Sequence, residues 1–440
     1  MDWRWLAWTA YFRTRSESVI PLYRQMNRNQ WREQKELLTV CSQRLDKLLH
    51  HAAHEVPYYR NLPREPQLAD FPSLTKTDIQ TRGVELHAKR ITGRTWATTS
   101  SGSTGEPTRV LLDPQAHSWR TATGWRGDCF GGLKPTDRFV SFWWSSPALD
   151  WRAKLQSRLR SWLFNRHIFD SLATDANIAR YLHQALISLQ PAVLYGFTSN
   201  LIAYVRFARE LRLKPSHALH KVMPTGEHTT PQHAAELEDY FGCPIRQRYG
   251  CAEVGDIAHQ CEKGTWHIHA EHVRLEVLGE DGHIHDRGCG RLLVTCLSNF
   301  TMPLIRYDLG DIVDLTPAPC DCGRSLPTFT SIEGRAVEFV YCPNGRWISS
   351  LMFAGYFHKH EPVRHFRVIQ DAPDHIHILI VPHSSFSKGR KRKLLEFFSP
   401  LLGEQMRISI EQVSGIAPLP GKKNRLVLNH LDPPVVPRFT

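Results

Sequence analysis

Residues 98–108 read TTSSGSTGEPT and combine residue types that suit phosphate binding. Gly102 and Gly105 let the backbone approach a ligand closely, while the serine and threonine residues supply hydroxyl and amide donors. The segment lacks a Gly-Lys-Ser/Thr ending, so it is not a Walker loop. Because stretches of this composition also serve as surface linkers, the segment taken alone predicts either a phosphate-binding loop or a linker.

Two short segments further along combine glycine with acidic and aromatic side chains: Pro224–Glu227 (PTGE) and Tyr249–Glu253 (YGCAE). A carboxylate in such a loop is a hard oxygen ligand for Mg²⁺, which usually bridges substrate phosphates. The Tyr249 ring can stack on a base. No histidine partner for Cys251 is identifiable, so this residue is predicted to line a pocket rather than to act as a nucleophile.

Leu304–Asp311 (LIRYDLGD) places Asp311 directly after a glycine. An aspartate at a strand–turn junction can accept hydrogen bonds from both hydroxyls of a ribose. The same pattern is also typical of an ordinary turn, so both interpretations stay open at this point.

Four cysteine and histidine residues form two close pairs, Cys261 with His267 and Cys320 with Cys322. Four soft or borderline ligands supplied as two pairs suit tetrahedral Zn²⁺, and a filled set of four predicts a structural site. His269 is an alternative to His267 as the fourth ligand. The other interpretation is that these residues are reduced thiols and an imidazole in loops, without a metal.

These segments require an alternation of strands and helices to position them. About the first 90 residues are predicted to be mainly helical, with apolar residues at helical spacing over Gln30–His51. From Trp96 onward, short apolar runs alternate with helical segments. The apolar runs include 138–144 and 192–195, and the helical segments include 176–189 and 199–213. This alternation is typical of α/β proteins.

Closely spaced strands between His267 and Asp314 predict a β-rich subdomain. Beyond Gly334 the pattern indicates a small α+β unit that includes a helix at Lys391–Leu402. We therefore predict a large domain over residues 1–333 and a small one over residues 334–440.

The 440 residues are 41% hydrophobic and 22% charged, which excludes a collagen, a disulfide-dense miniprotein and a coiled coil. No stretch approaches the ~20 apolar residues that span a bilayer. The tryptophan-rich segment Met1–Tyr11 is predicted to be a helix docked on the body of the protein, with a helix on a membrane surface as the alternative. Ten scattered cysteines without a secretion signal favour a cytoplasmic location.

The net charge of +12 indicates a polyanionic partner such as a nucleotide, a coenzyme, an acidic carrier protein or a nucleic acid. Charge alone does not choose among these partners.

The order of the motifs resembles that of the adenylate-forming ligase superfamily of acyl-CoA synthetases, and within it the phenylacetate–CoA ligase and CapK-like branch. The matching pieces are HAAHEVPYYR, SSGSTGEPT, PTGE, YGCAE, RYDLGD, EGR, FRVIQ and GKKNR, and together they extend over most of the chain. The resemblance implies an α/β fold with a large adenylation domain of mixed sheets and a β-rich subdomain, followed by a small mobile α+β domain.

The resemblance also assigns nucleotide-binding positions residue by residue. They are Ser100, Ser101, Gly102, Ser103, Thr104 and Gly105 for the ATP phosphates, Thr225, Gly226 and Tyr249 for adenine, and Asp311 for ribose.

Three further residues correspond to catalytic positions of the family. Glu253 matches the Mg²⁺ ligand, and Arg335 matches the arginine at the phosphate side that also precedes the hinge. Lys422 matches the C-terminal lysine because it reproduces a GKxxR spacing, with Lys423 as the competing assignment. A carboxylate that attacks the α-phosphate of ATP builds negative charge, which a lysine and Mg²⁺ stabilise.

Two positions depart from the family pattern. Glu106 stands where many members have lysine, and Val337 stands where many have the second aspartate of the hinge. The altered hinge leaves the second half-reaction open. The acceptor is therefore CoA by resemblance, with a carrier-protein thiol, an amine or a hydroxyl as alternatives.

The implied function is ATP-dependent activation of a carboxylic acid to an acyl-adenylate with release of pyrophosphate, followed by transfer to an acceptor. Trp143 and Trp144, near a pocket expected between Tyr195, Gly196, Thr225 and residues 249–255, favour an aryl or apolar acid. Predicted cofactors are ATP, Mg²⁺, structural Zn²⁺ of the kind the branch carries, and CoA. The oligomeric state stays open, with a homodimer among the options.

The rival interpretation is a non-catalytic or diverged zinc-containing basic protein that binds nucleic acid or an assembly partner. The net charge, the CxC pair and the altered hinge favour it. Because the nucleotide motifs keep their polar residues, the ligase is the preferred interpretation and nucleic acid takes second place.

Overall fold

The α/β class predicted by the strand–helix alternation is confirmed. The computed structural model describes residues 3–91, 93–100, 108–143, 151–170, 176–215, 218–227, 229–335, 339–343, 347–349, 353, 356–357, 363–382, 386–417 and 426–431. The helices are α1 (Trp3–Arg13), α2 (Val19–Asn29), α3 (Gln34–Glu55), α4 (Lys76–Arg82), α5 (Pro114–Asp128), α6 (Trp151–Phe164), α7 (Ala176–Leu189), α8 (Thr198–Glu210), α9 (Pro231–Phe241) and α10 (Lys388–Leu402), with 3₁₀ turns at Pro57–Tyr59, Leu68–Asp70 and Gly83–Leu86.

The strands lie mainly after the helical first part of the chain. They are β1 (Trp96–Ser100), β2 (Thr108–Leu112), β3 (Phe139–Trp143), β4 (Arg166–Asp170), β5 (Val193–Phe197), β6 (Lys221–Thr225), β7 (Arg248–Cys251), β8 (Gly255–Gln260), β9 (Trp266–Ile268), β10 (Val273–Leu278), β11 (Ile284–His285), β12 (Cys289–Cys296), β13 (Tyr307–Asp314), β14 (Thr328–Phe329), β15 (Ser331–Arg335), β16 (Phe339–Tyr341), β17 (Trp347–Ser349), β18 (Val363–Ala372), β19 (His375–Pro382), β20 (Arg407–Gln412) and β21 (Val427–Asn429).

The chain divides into two compact units. The first comprises 1–275, 294–307 and 316–330, and the second comprises 276–293, 308–315 and 331–440. The sequence-based division at residues 333 and 334 stays a prediction, and it differs from these units in assigning two earlier segments to the large domain.

An eight-stranded sheet organises the first unit, in the order β14-β9-β8-β7-β6-β5-β3-β4. The five neighbouring strands β4, β3, β5, β6 and β7 are parallel to one another. The strands β8, β9 and β14 continue the sheet with antiparallel pairing. One face of the sheet packs against α7, α8 and α9 through a buried apolar core that includes Val140, Phe142, Leu182, Leu194, Leu201, Val205, Val222 and Leu237. Two of the parallel strands, β6 and β7, carry the predicted adenine motifs PTGE and YGCAE toward their carboxyl ends.

Local sequence explains where the connecting helices begin and end. α5 begins after Asp113, whose carboxylate accepts a 2.7 Å hydrogen bond from the backbone N–H of Ala116. α9 has the equivalent cap at Thr230, begins with proline, and ends at Gly242, whose φ of +63° suits a residue without a side chain.

The β-rich segment forms a five-stranded sheet in the order β11-β10-β12-β13-β15. The C-terminal residues form a separate four-stranded sheet, β20-β19-β18-β21, whose apolar face and α10 share a core with Ile376, Ile378, Leu394 and Phe398. Within the part of the chain that the structure describes, none of the helices combines the length and apolar character needed to cross a membrane.

Candidate functional site

The predicted adenine-binding residues come together on neighbouring strands. Thr225 ends β6 and pairs with Arg248 of the parallel strand β7, and its Oγ1 donates a 2.9 Å hydrogen bond to the Arg248 carbonyl. Gly226 and Tyr249 are the next residues along these two chain segments. The motifs PTGE and YGCAE therefore meet at one edge of the sheet, where α/β proteins commonly bind ligands.

A tight hairpin between β7 and β8 carries the acid of YGCAE. At Gly250 a Cβ atom would overlap the carbonyl oxygen of Gly255, so a larger residue would push the two strands apart. The close approach puts Glu253 in the turn between them. This close contact explains why the motif has glycine at position 250.

Glu253 is held in place by two residues to which the sequence analysis assigned no role. The side chain is 7% exposed, and Tyr307 Oη donates a 3.2 Å hydrogen bond to its Oε1. Arg120 of α5 donates to the carbonyl oxygens of Ala252 and Glu253 at 2.9 and 3.0 Å. A carboxylate oxygen fixed in this way suits Mg²⁺. Tyr307 lies within the RYDLGD motif, whereas nothing in the sequence around Arg120 pointed to this contact.

The phosphate-loop prediction is covered in part by the structure. β1 and β2 form an antiparallel hairpin in which Ser100 pairs with Thr108. Thr98 Oγ1 donates a 3.3 Å hydrogen bond to the Ala252 carbonyl, which ties this hairpin to the YGCAE turn. Residues 101–107, including Ser101, Gly102, Ser103, Thr104 and Gly105, lie outside the described residues.

The remaining predicted catalytic residues belong to the second unit. Asp311 of β13 is 6% exposed and pairs in register with Arg335 of β15. The side chain of Arg335 and the whole of Lys422, Lys423 and Val337 lie outside the described part of the structure. Their roles stay predictions.

A cavity of about 370 Å³ lies beside the YGCAE turn. Its lining residues come from β1, β2, α5, β7 and the start of β8: Trp96, Ala97, Thr98, Leu112, His117, Arg120, Thr121, Arg248, Gly255 and Asp256. The Arg120 side chain that holds the Glu253 turn is also part of this wall. The volume of the cavity lies at the lower end of the range for small-molecule sites, about 300–1,000 Å³.

A buried ion network fixes Arg248 at this cavity. Arg248 makes a two-pronged contact with Asp256, with Nη2 and Oδ2 2.8 Å apart, and approaches Asp128 at 3.4 Å. Arg166 contacts Asp128 at 2.9 Å. Burial alone raises the pKa of Asp128, but the charges of Arg248 and Arg166 outweigh it and hold the pKa well below its usual range. The network was not predicted, because Asp128, Arg166 and Arg248 are far apart in sequence.

Aromatic rings at the ends of β3 and β5 form a stack near Arg248. The Trp143 ring stacks on those of Tyr195 and Phe197, with centroids 5.3 and 4.0 Å away. The Arg248 guanidinium lies 5.1 Å from the Tyr195 ring centroid. Trp144, the other predicted neighbour, is outside the described residues.

The structure brings Cys261, His267, Cys320 and Cys322 together, with their ligand atoms all within 4.8 Å of one another. The Cys261 and Cys320 sulfurs are 3.6 Å apart, and Cys322 Sγ lies 3.4 Å from His267 Nε2. Zinc bond lengths of about 2.3 Å to sulfur and about 2.0 Å to nitrogen give tetrahedral edges of about 3.5–3.8 Å. The cluster therefore has the size that a zinc ion requires.

The ring orientation of His267 suits metal binding. Its Nδ1 lies 3.2 Å from the Leu326 carbonyl and donates to it in the tautomer that leaves Nε2 free to face the cysteines. Burial lowers the pKa of His267 to about 4, which favours the neutral, ligating form. His269, the alternative ligand, contacts Arg126 and His259 instead, at 2.9 and 2.8 Å.

The sequence is similar to two known proteins and to one family of C-terminal domains. Residues 340–430 match the family described as the CapK C-terminal domain. Protein CapK of Staphylococcus aureus is 23% identical over 270 residues, which are 61% of this chain and 59% of that protein. The phenylacetate-coenzyme A ligase of Thermus thermophilus is 31% identical over 111 residues, 24% of this chain and 25% of that enzyme. Both matches span less than two thirds of the relative's own length.

A solved structure with a similar fold is that of 2-hydroxyisobutyryl-CoA ligase in the postadenylation state, in complex with R3-HIB-AMP. It superposes with a TM-score of 0.70 at 18% identity over 91% of each chain. The chain therefore has the fold of the adenylate-forming ligases. This fold and the two sequence relatives agree with the resemblance to the adenylate-forming superfamily and its CapK-like branch that the motif order indicates.

Proposed function

We propose that the protein is an ATP-dependent ligase that activates a carboxylic acid as an acyl-adenylate and passes the acyl group to an acceptor. The observation that carries this proposal is the fixed, buried Glu253 in the turn that follows the Thr225–Arg248 strand pair, whose backbone is held by Arg120 of a cavity of about 370 Å³. A magnesium ligand beside a base-binding edge and a space for the acid are what the first half-reaction requires.

In the proposed first step, an oxygen of the substrate carboxylate attacks the α-phosphorus of ATP. The bond from that phosphorus to the bridging oxygen breaks, and pyrophosphate leaves with the electron pair. Glu253 would hold Mg²⁺, whose contribution is to offset the charge on the phosphate oxygens. Lys422 would add a second positive charge, and residues 100–105 would hold the β- and γ-phosphates. Thr225, Gly226 and Tyr249 would bind adenine, Asp311 ribose, and Arg335 the phosphate side.

The substrate we propose is an acid with an aryl or apolar portion. The half-buried stack of Trp143, Tyr195 and Phe197 is its expected contact, because flat apolar groups pack favourably on aromatic faces. The neighbouring Arg248 and Arg120 would suit a polar substituent or the carboxylate. CoA is the first choice of acceptor, and a carrier-protein thiol, an amine or a hydroxyl are the others.

We also propose that Cys261, His267, Cys320 and Cys322 hold a structural Zn²⁺ ion. Four protein ligands fill a tetrahedral shell, so no position is left for a substrate or a water. The apolar side chains of Leu37, Phe130 and Leu326 pack beside Cys261. The metal would therefore stabilise the fold rather than take part in the reaction.

ATP–pyrophosphate exchange over a panel of aryl and aliphatic acids tests the proposed reaction. We expect exchange with at least one acid, and a loss of about a hundredfold or more in Glu253→Gln, because the metal ligand is removed. Glu65→Gln, an exposed carboxylate, is the matched control and should keep full exchange. Absence of exchange with every acid, together with salt-sensitive nucleic-acid binding, would favour the rival basic binding protein and overturn the proposal.

A further inference from the structure

The first unit exposes a group of large apolar side chains on α1 and α6. The exposed fractions are 45% for Trp3, 66% for Leu6, 50% for Leu155, 58% for Leu159 and 58% for Trp162. We call these five residues the α1–α6 face. Exposed large residues are unremarkable when scattered singly, but a contiguous group marks an interaction surface.

The five residues are adjacent because of helix geometry and one ring contact. Leu155, Leu159 and Trp162 are spaced i, i+4 and i+7, so they lie along one side of α6. The Trp162 ring centroid is 5.1 Å from that of Trp3, which joins the two helices at this face.

Other residues of α1 fix this helix to the body of the protein. Trp8 and Phe12 are buried, and Trp8 Nε1 donates a 2.9 Å hydrogen bond to the Leu163 carbonyl. The Trp8 ring also stacks on Phe164 at 5.3 Å. The predicted docked helix is confirmed by these contacts. Docking uses Trp8 and Phe12, so it does not explain why Trp3 and Leu6 are apolar.

The charges of the two helices are all of one sign. α1 contains Arg4 and Arg13, and α6 contains Arg152, Lys154, Arg158 and Arg160, whereas neither helix contains an aspartate or a glutamate. Arg158 and Arg160 are exposed beside the apolar residues. The whole chain has 55 basic and 43 acidic residues, so α6, with four basic residues and no acid, is more basic than the chain average.

We propose that the α1–α6 face binds the surface of an anionic phospholipid membrane. Tryptophan and leucine side chains enter the zone between headgroups and acyl chains, to a depth of about 5–10 Å, while arginines pair with lipid phosphates. A second copy of the chain is a poorer occupant, because a symmetric contact would bring the two basic faces together. This surface is separate from the residues of the proposed reaction.

A vesicle flotation assay on the full-length protein tests this proposal. We expect binding to vesicles of phosphatidylcholine mixed with phosphatidylglycerol and little binding to phosphatidylcholine alone, with affinity falling as salt rises. Leu155→Ser/Leu159→Ser should weaken binding by about tenfold or more, because apolar area leaves the membrane. Arg158→Gln/Arg160→Gln should weaken it by about fivefold for each charge removed.

A matched double variant controls for the loss of exposed apolar area in general. Leu38 and Val84 are 44% and 81% exposed on other elements, so Leu38→Ser/Val84→Ser should bind vesicles as well as the unmodified protein. Unchanged thermal unfolding of all variants shows that the fold is intact. Failure to bind anionic vesicles, or undiminished binding by Leu155→Ser/Leu159→Ser, would overturn the proposal. A dimer in solution that this variant dissociates, without vesicle binding, would assign the face to self-association instead.

Discussion

At the scale of single residues, two arginines that shape the candidate site, Arg120 and Arg248, lie outside its sequence motifs. Arg120 comes from α5 and fixes the turn of YGCAE, while Arg248 precedes that motif by one residue and lines the cavity. The partners of Arg120 are distant in sequence, whereas Arg248 is held by Asp256, eight residues further on, and by the distant Asp128. Such contacts could not be predicted, because a short motif contains the residues expected to face the ligand. It does not contain the residues elsewhere in the chain that position them.

Asp128 is the buried carboxylate that Arg248 and Arg166 share. We expect Asp128→Asn to lower the free energy of unfolding by about 3–5 kcal/mol, because Arg248 and Arg166 lose a buried counter-charge. Urea unfolding monitored by circular dichroism measures this. Glu85→Gln, which removes an exposed ion pair with Arg82, is the control and should leave the stability nearly unchanged. A change at Asp128 no larger than that of the control would show that the network is dispensable.

The same residue determines a pH dependence. Because the folded pKa of Asp128 is depressed, its contribution to stability is fully present above the ordinary aspartate pKa of about 3.9. The contribution is lost as pH falls below this value toward the depressed pKa of the folded state. The stability difference between the unmodified protein and Asp128→Asn should therefore shrink on acidification below pH ~4.

At the scale of elements, apolar periodicity predicted several helices and strands but not how distant strands pair. The helix predicted at Ala176–Leu189 has those bounds in the structure, and the one predicted at Gln30–His51 runs from Gln34 to Glu55. β14 is a two-residue strand with no periodic signal, yet it pairs with β9, with Thr328 opposite His267. Pairing of this kind depends on long-range contacts, which one sequence does not reveal.

The β9–β14 pairing and the CxC pair are the basis of a prediction about metal. The purified protein should contain about one zinc per chain, and Cys320→Ser/Cys322→Ser should contain less than about half an equivalent. Because the ligands join segments about sixty residues apart in sequence, we expect chelation or this variant to lower the melting temperature by several degrees.

Elemental analysis and thermal unfolding are the two measurements. Cys289→Ser is the matched control, because Cys289 is an exposed thiol outside the cluster, and it should retain both metal and stability. Full metal content in Cys320→Ser/Cys322→Ser would mean that the bound ion lies elsewhere.

At the scale of the whole molecule, positive charge is unevenly distributed. The excess that gives the net +12 is concentrated in places such as α1 and α6, which have no acidic residue, and in the KGRKRK sequence at the start of α10. We therefore propose polyanionic ligands at two different surfaces: a nucleotide at the β6–β7 edge and anionic lipid at the α1–α6 face. The sequence predicted a polyanionic partner but did not distinguish these surfaces, because the net charge does not indicate where on the surface the charged residues lie.

The assignment of the catalytic lysine depends on motif spacing alone, since Lys422 and Lys423 lie outside the described residues. We expect Lys422→Ala to reduce ATP–pyrophosphate exchange by about a hundredfold or more, because the developing charge on the α-phosphate loses a cation. Lys423→Ala should largely retain exchange, since the GKxxR spacing assigns the role to its neighbour. Lys393→Ala, on the exposed part of α10, controls for the loss of a basic charge in the same unit. Equal losses at 422 and 423 would mean that the pair contributes general positive charge, and a loss confined to Lys423→Ala would move the assignment by one residue.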